Sequence, residues 1–245
     1  MEKIANIYRI HHDLPFPGLE STRLPAAMHC IQDDAGLVLI DPFVLPDEET
    51  RELEALGKPA YVLITNLNHD RDAEHYRHQY GAMIMAHPSL AGYFDFALDS
   101  VFENGNQLPG GLTAIGMPGT FKGETIFLHP EQGGSLIVGD AIMNLSLKHY
   151  GVAGAAMKTM GWSEGVGTMP RLMMKDELQA DASYRRLLCG SFSRILMTHG
   201  TPILAQAKGT LLKALNNNYP VLPYSMRRVV SKAYNNLWEL VDEVL

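Results

Sequence analysis

Residues 61–75 read YVLITNLNHDRDAEH. The opening run, Tyr61-Val-Leu-Ile-Thr65, is apolar without alternation, the pattern of a strand buried on both faces. A polar loop follows, and loops at strand ends are where a rigid scaffold presents functional side chains. The segment Asp72 to Tyr80 then reads as a helix stopped by Gly81. The loop is framed like a metal-binding motif, but Asn66 and Asn68 stand where imidazoles would be expected.

Outward from this unit, short runs bounded by Gly, Pro or Asp predict strands at Ile4 to Ile10, Gly36 to Ile40, Ala60 to Thr65 and Ala82 to Ala86. Further strands are predicted at Leu112 to Gly116, Glu124 to His129, Ser135 to Gly139 and Arg194 to Thr198. Helices are predicted at Asp47 to Leu56, after Pro46 and before Gly57, at Asp176 to Leu188, and at Ile203 to Leu215 after Pro202. Strand pairs mixed with strand-helix-strand units imply a layered α/β fold with parallel and antiparallel pairing. Lys148 to Lys175, rich in Gly and Met, reads as a long loop or broken helix crossing one face. With Trp162 it is the candidate lid. The tail Ser225 to Leu245 carries Met226, Val229, Val230, Ala233, Leu237 and Leu240 on one helical stripe. It is expected to dock on its own domain, with a homodimer contact as the alternative. The domain is thus expected at residues 1–219 and a helical extension at 220–245.

The formal net charge is −7 and no basic run exceeds two residues, which argues against a phosphate-backbone partner. No run of about 18 apolar residues offers a membrane span, and the N-terminus lacks the basic-then-apolar pattern of a leader. Cys30 and Cys189, far apart and without ligand spacing, are expected as free thiols in a reducing compartment. The expected location is the cytoplasm and the expected partner a small molecule. No phosphate-cradling Gly motif is present.

Five fragments in order carry a resemblance: Leu39-Ile40-Asp41-Pro42, Thr65 to Asp72, Met117-Pro118-Gly119-Thr120-Phe121-Lys122-Gly123, Val138-Gly139-Asp140-Ala141, and Met197-Thr198-His199-Gly200. The sequence resembles the metallo-β-lactamase superfamily over roughly residues 1 to 215. The resemblance implies an αββα sandwich with its site in the loops along one sheet edge. It also implies hydrolysis of a small ester, thioester or related bond, with no substrate named. The family's T-H-x-H-x-D-H stretch and P-G-H loop hold up to two metals, because imidazoles and carboxylates bind zinc or iron and acidify a bound water.

Laid on that pattern, Thr65, Asp70, Asp140 and His199 match. Asn66, Asn68, Arg71 and Thr120 replace four imidazoles. The "TNLNHDRDA" run is similar to a branch of the family that shares this departure. The expectation is a degenerate site without the usual dinuclear metal, serving small-molecule binding or altered catalysis through Asp70, His199 and Arg71. Asn66, Asn68, Thr120 and Trp162 would line it. Arg71, a permanent cation suited to carboxylates, is expected to pair with Asp70, Asp140 or both in the metal's place. The alternative is a mononuclear hydrolase with Zn, Fe or Mn on Asp70, Asp140 and His199, Asp-rich ligation favouring Fe or Mn. His69 is expected to point away from its neighbours in an extended or tight-loop geometry. His75 and His78 read as surface helix residues.

Two readings from other classes are weaker. Gly161-Trp162-Ser163-Glu164-Gly165 matches the G-x-S-x-G elbow of serine hydrolases, but no apolar strand precedes it and His199 follows closely. A non-enzymatic module assembling through the C-terminal helix is the other.

Overall fold

The computed structural model describes residues 1–16 and 19–218. A seven-stranded sheet runs in chain order: β1 (Glu2–Ile4), β2 (Ile7–Phe16), β3 (Leu19–Asp33), β4 (Gly36–Ile40), β5 (Pro59–Leu63), β6 (Met83–Ala86) and β7 (Ser100–Val101). Pairing is antiparallel as far as β4 and parallel beyond it. The helices α1 (Asp47–Leu56) and α2 (Ala73–Tyr80) make the crossovers that parallel pairing needs.

The second sheet contains β8 (Gln107–Leu108), β9 (Leu112–Gly116), β10 (Thr125–His129), β11 (Ser135–Val138) and β14 (Arg194–Met197), in the order β14-β11-β10-β9-β8. Only β11 and β14 run parallel. Their crossover holds β12 (Ile142–Leu145), α3 (Gly151–Thr159), β13 (Gly165–Thr168) and α4 (Glu177–Leu187), with β12 and β13 forming a separate ribbon. Helix α5 (Ala207–Asn218) follows β14.

Side-chain alternation builds the layers. Val38, Ile40 and Leu63 meet Phe127, Ile137 and Leu196 between the sheets. Their neighbours Leu37, Leu39 and Val62 turn outward onto Leu53 of α1 and Tyr76 of α2. On the other sheet Ile126, Leu136, Val138 and Ile195 turn outward onto Tyr184 of α4 and Leu211 of α5. Each such side chain contributes roughly 1.5–3 kcal/mol on burial, and the product is the expected αββα sandwich.

Several boundaries differ from the sequence reading. The expected strand Ile4 to Ile10 is two strands, split where Ala5 takes a left-handed backbone (φ 55°). Strand β3 was not foreseen. The segment 148–175 is more ordered than a loop, since it contains α3 and β13. Helix α5 starts at Ala207 and not at Ile203, because Ile203 exchanges both backbone hydrogen bonds with Ile195. Among the described residues no helix is long and apolar enough to cross a membrane. The C-terminal helix at 220–245 and the homodimer contact assigned to it lie outside the described residues.

Candidate metal centre

Strand β4 delivers Asp41, whose left-handed backbone (φ 50°) is uncommon outside glycine and marks an over-determined position. Its carboxylate is fully buried. Oδ1 accepts from the Thr65 N–H at 2.9 Å, and Oδ2 accepts from Thr65 Oγ1 at 2.7 Å, His69 Nδ1 at 2.7 Å and Thr198 Oγ1 at 3.2 Å. One side chain thereby ties together the ends of β4, β5 and β14.

His69 is buried in this cluster, contrary to the expectation that it points away. The reason is local. The Asn66 side chain accepts from the Asn68 N–H at 2.8 Å and starts a single 3-10 turn, Leu67–His69, so two-residue alternation does not apply.

His199 closes the site from β14. Its Nδ1 lies 2.9 Å from the carbonyl of Pro25, which can only accept, so Nδ1 carries the hydrogen. The following residue is gripped on two sides. Arg9 Nη2 donates to the Gly200 carbonyl at 2.8 Å, and a Cβ on Gly200 (φ 94°) would lie 1.8 Å from the Asn144 carbonyl oxygen. Only glycine fits there.

With both Nδ1 atoms engaged, both Nε2 atoms face Asp140. The separations are 3.3 Å between His69 Nε2 and His199 Nε2, 3.4 Å from His69 Nε2 to Asp140 Oδ1, and 3.3 Å from His199 Nε2 to Asp140 Oδ1. A tetrahedral ion with bonds of about 2.0–2.1 Å needs ligand-to-ligand edges of about 3.3–3.4 Å. An octahedral face at the same bond length would need about 3.0 Å or less. Hydrogen-bonded Nδ1 atoms behind Nε2 donors are also how metal-ligating imidazoles are fixed in tautomer and orientation. His69, Asp140 and His199 therefore fit one ion, and they are the group among the described residues whose ligand atoms converge.

The charges balance around the same point. Burial works against a charged His69, but Asp41 and Asp140 on either side raise it to about 9. Burial would also raise Asp140, yet the facing imidazoles hold it well below the usual carboxylate range. Glu124, buried behind Asp140, is pushed up to about 8 by burial and by that neighbouring carboxylate. It accepts from Asn66 Nδ2 at 2.8 Å and from the Ala141 N–H at 3.0 Å.

The other sequence-nominated residues are placed as follows. Asp70 is not part of the triangle: it follows the 3-10 turn, and its Oδ1 accepts from the Arg71 N–H at 2.9 Å. Contrary to expectation, Arg71 makes no close ion pair with Asp70 or Asp140, although the charges of Asp41, Asp140, Asp72 and Asp70 favour its cation. Its Nη1 donates to the Asp41 carbonyl at 3.2 Å, and among the described residues no carboxylate lies within ion-pair reach of it. His69 holds the place between acids that was assigned to Arg71. Asn66 is fully buried beside Asp140 and Asn68 is exposed. Thr120 is buried and its hydroxyl donates to the Met117 carbonyl at 2.5 Å. Trp162 packs against the cluster of Met143, Leu145, Leu147 and Met157. Ser163 follows helix α3, so the strand that a nucleophile elbow requires is lacking there.

The sequence reading missed His69 as a candidate ligand and gave Glu124 no part in the site. The Asn-x-Asn turn signature could have flagged the first. The second offered only a lone acid ahead of the apolar run Thr125–His129.

Residues 26–180 match the family model described as the metallo-beta-lactamase superfamily. Among curated proteins none matches. Solved structures agree at the level of fold. A metallo-beta-lactamase from Pontibacter korlensis is 15% identical, with a TM-score of 0.63 over 89% of this chain and 98% of that one. A metallo-beta-lactamase from Hirschia baltica is 15% identical, with a TM-score of 0.61 over 91% and 98%. A third neighbour, solved in a di-iron-bound form, is 18% identical, with a TM-score of 0.52 over 83% and 98%.

Proposed function

Since the chain belongs to the metallo-β-lactamase superfamily, we propose that it is a hydrolase of small ester, thioester or related bonds, built around one metal ion held by His69, Asp140 and His199. The observation that carries this reading is the triangle of 3.3–3.4 Å edges, with each Nδ1 already engaged. When bound, such an ion supplies Lewis acidity and a water acidified towards neutral pH.

The chain's own residues do the rest. Asp41 keeps His69 in the Nδ1–H tautomer, and the Pro25 carbonyl does the same for His199, leaving two lone pairs aimed at one point. Asp140 adds the negative charge that a dication needs. The proton that His69 holds must leave before its Nε2 can bind, so ion and proton compete for one place. Two imidazoles and tetrahedral edges favour zinc over the iron or manganese that Asp70 ligation would have suited. A small-molecule substrate and a cytoplasmic location belong to the same proposal.

The test is metal analysis of protein purified without added metal, with hydrolysis of small esters and thioesters before and after chelation. Near-stoichiometric metal and activity that zinc restores would support the reading. No bound metal, and none taken up on adding zinc, would refute it.

One observation favours a second reading, a metal-free binding protein. An imidazolium at His69 between Asp41 and Asp140 satisfies both acids with a proton alone. Absence of metal together with retained small-molecule binding would favour it.

A further inference from the structure

We propose that Asn66 and Glu124 form a buried strut in the space of a second ion, so that this chain holds one ion and Asp140 ligates it through one oxygen. This rests on the one-ion reading and adds what limits it.

Of the four positions where the resemblance expects imidazoles, 66 lies deepest. Asn66 is fully buried, and both of its amide hydrogens and its carbonyl oxygen are engaged. Its oxygen accepts from the Asn68 N–H. Its amide nitrogen donates to Glu124 Oε2 at 2.8 Å and to Asp140 Oδ2 at 3.3 Å. An amide nitrogen has no lone pair to offer a metal. It places two hydrogens between two carboxyl groups, where a ligand would have placed a lone pair.

Backbone geometry holds the strut. Glu124 Oε1 accepts from the Ala141 N–H, and the Ala141 carbonyl accepts from Tyr184 Oη at 2.7 Å and from the Met169 N–H at 3.1 Å. A Cβ on Gly139 would lie 2.4 Å from Thr65 Oγ1 and 3.0 Å from Asn66 Nδ2, so the end of β11 lies directly against Asn66. Of the other replaced positions, Asn68 is exposed and the remaining two turn away or bring charge. The Thr120 hydroxyl is turned into its own turn, and Arg71 brings a positive charge.

The two oxygens of Asp140 are therefore divided. Oδ1 faces the two imidazoles and Oδ2 faces the amide. Asn66 and Glu124 are positioning residues, acting on the ion through Asp140.

The test adds zinc in stepwise excess to the full chain, removes unbound metal by desalting, and measures what is retained. One equivalent is expected however much is added. In Asn66→Ala one equivalent should still bind, with affinity weakened about 10–100-fold, as for other residues that orient a ligand. Two equivalents in the wild type would overturn the proposal and leave the metal-site reading intact, whereas none would overturn both. Wild-type affinity in Asn66→Ala would remove the positioning role. The wild-type stoichiometry decides the ion count even if the variant does not fold.

Discussion

The two sides of Asp140 differ in the atoms they present. Towards β14, two imidazole Nε2 atoms meet Oδ1, and the place between them takes one cation, the His69 proton or a metal ion. Towards β10, amide hydrogens meet Oδ2 and Glu124, and the demand is already met. One carboxylate thus borders an ion site and a hydrogen-bonded plug. The difference is that an imidazole can give up its proton to a metal ion, whereas the amide cannot.

The largest expected effect comes from removing what the ion side hangs on. Asp41→Ala strands the buried His69 imidazole and the Thr65 and Thr198 donors, and should cost about 3–5 kcal/mol, read by urea unfolding. A loss below about 1 kcal/mol would mean that the ion side is not built on Asp41. Gly200→Ala is next. Its Cβ would collide with the Asn144 carbonyl at a left-handed backbone, so a loss of about 1–3 kcal/mol is expected, with zinc retention falling as His199 shifts. Unchanged zinc retention would show that this clamp does not position His199.

The pH dependence sharpens the comparison, because both sides hold protons in the zinc-free chain. His69 is raised from 6.5 to about 9 in the folded state, so its contribution is fully present below pH 6.5 and is lost as pH rises through about 9. Glu124 is raised from 4.5 to about 8, so its contribution is fully present below pH 4.5 and is lost by about pH 8. The zinc-free protein should therefore lose stability from about pH 5 to 9, while the stabilisation that zinc adds should grow as the His69 proton leaves. Denaturation with and without zinc measures both, and zinc-free stability that rises across that range would contradict the assignment. The smallest effect is expected from Arg71→Lys, which weakens one hydrogen bond to the Asp41 carbonyl. About 0.5–1.5 kcal/mol of stability is at stake, with zinc affinity changed less than about tenfold. A larger fall in affinity would return Arg71 to the centre of the site.

The layers were legible in the sequence because burial imposes a period. The bounds of α1 followed from Pro46 and Gly57, and the bounds of β4 and the core of β5 from apolar runs bounded by Gly, Pro or Asp. So did the candidate site's location, because Asp41, Asp140 and His199 lie within two residues of a strand's end. What escaped was set by single turns. His69 was expected to point outward from an extended or tight loop, and the 3-10 turn that Asn66 starts brings it inward. Strand β3 escaped because Pro25 and the polar His29 interrupt its pattern, while its pairing with β2 and β4 comes from backbone hydrogen bonds that leave no side-chain signature. Glu124 escaped because its role depends on Asn66 and Ala141, far away in sequence.

The sequence alone nominates Asp70 as a ligand and the structure nominates His69, so the most direct test compares zinc retained by Asp70→Ala and His69→Ala after desalting. The account requires Asp70→Ala to keep about one equivalent and His69→Ala to lose it, since the Nε2 of His69 is one of the three converging donors. Zinc kept by His69→Ala and lost by Asp70→Ala would contradict it.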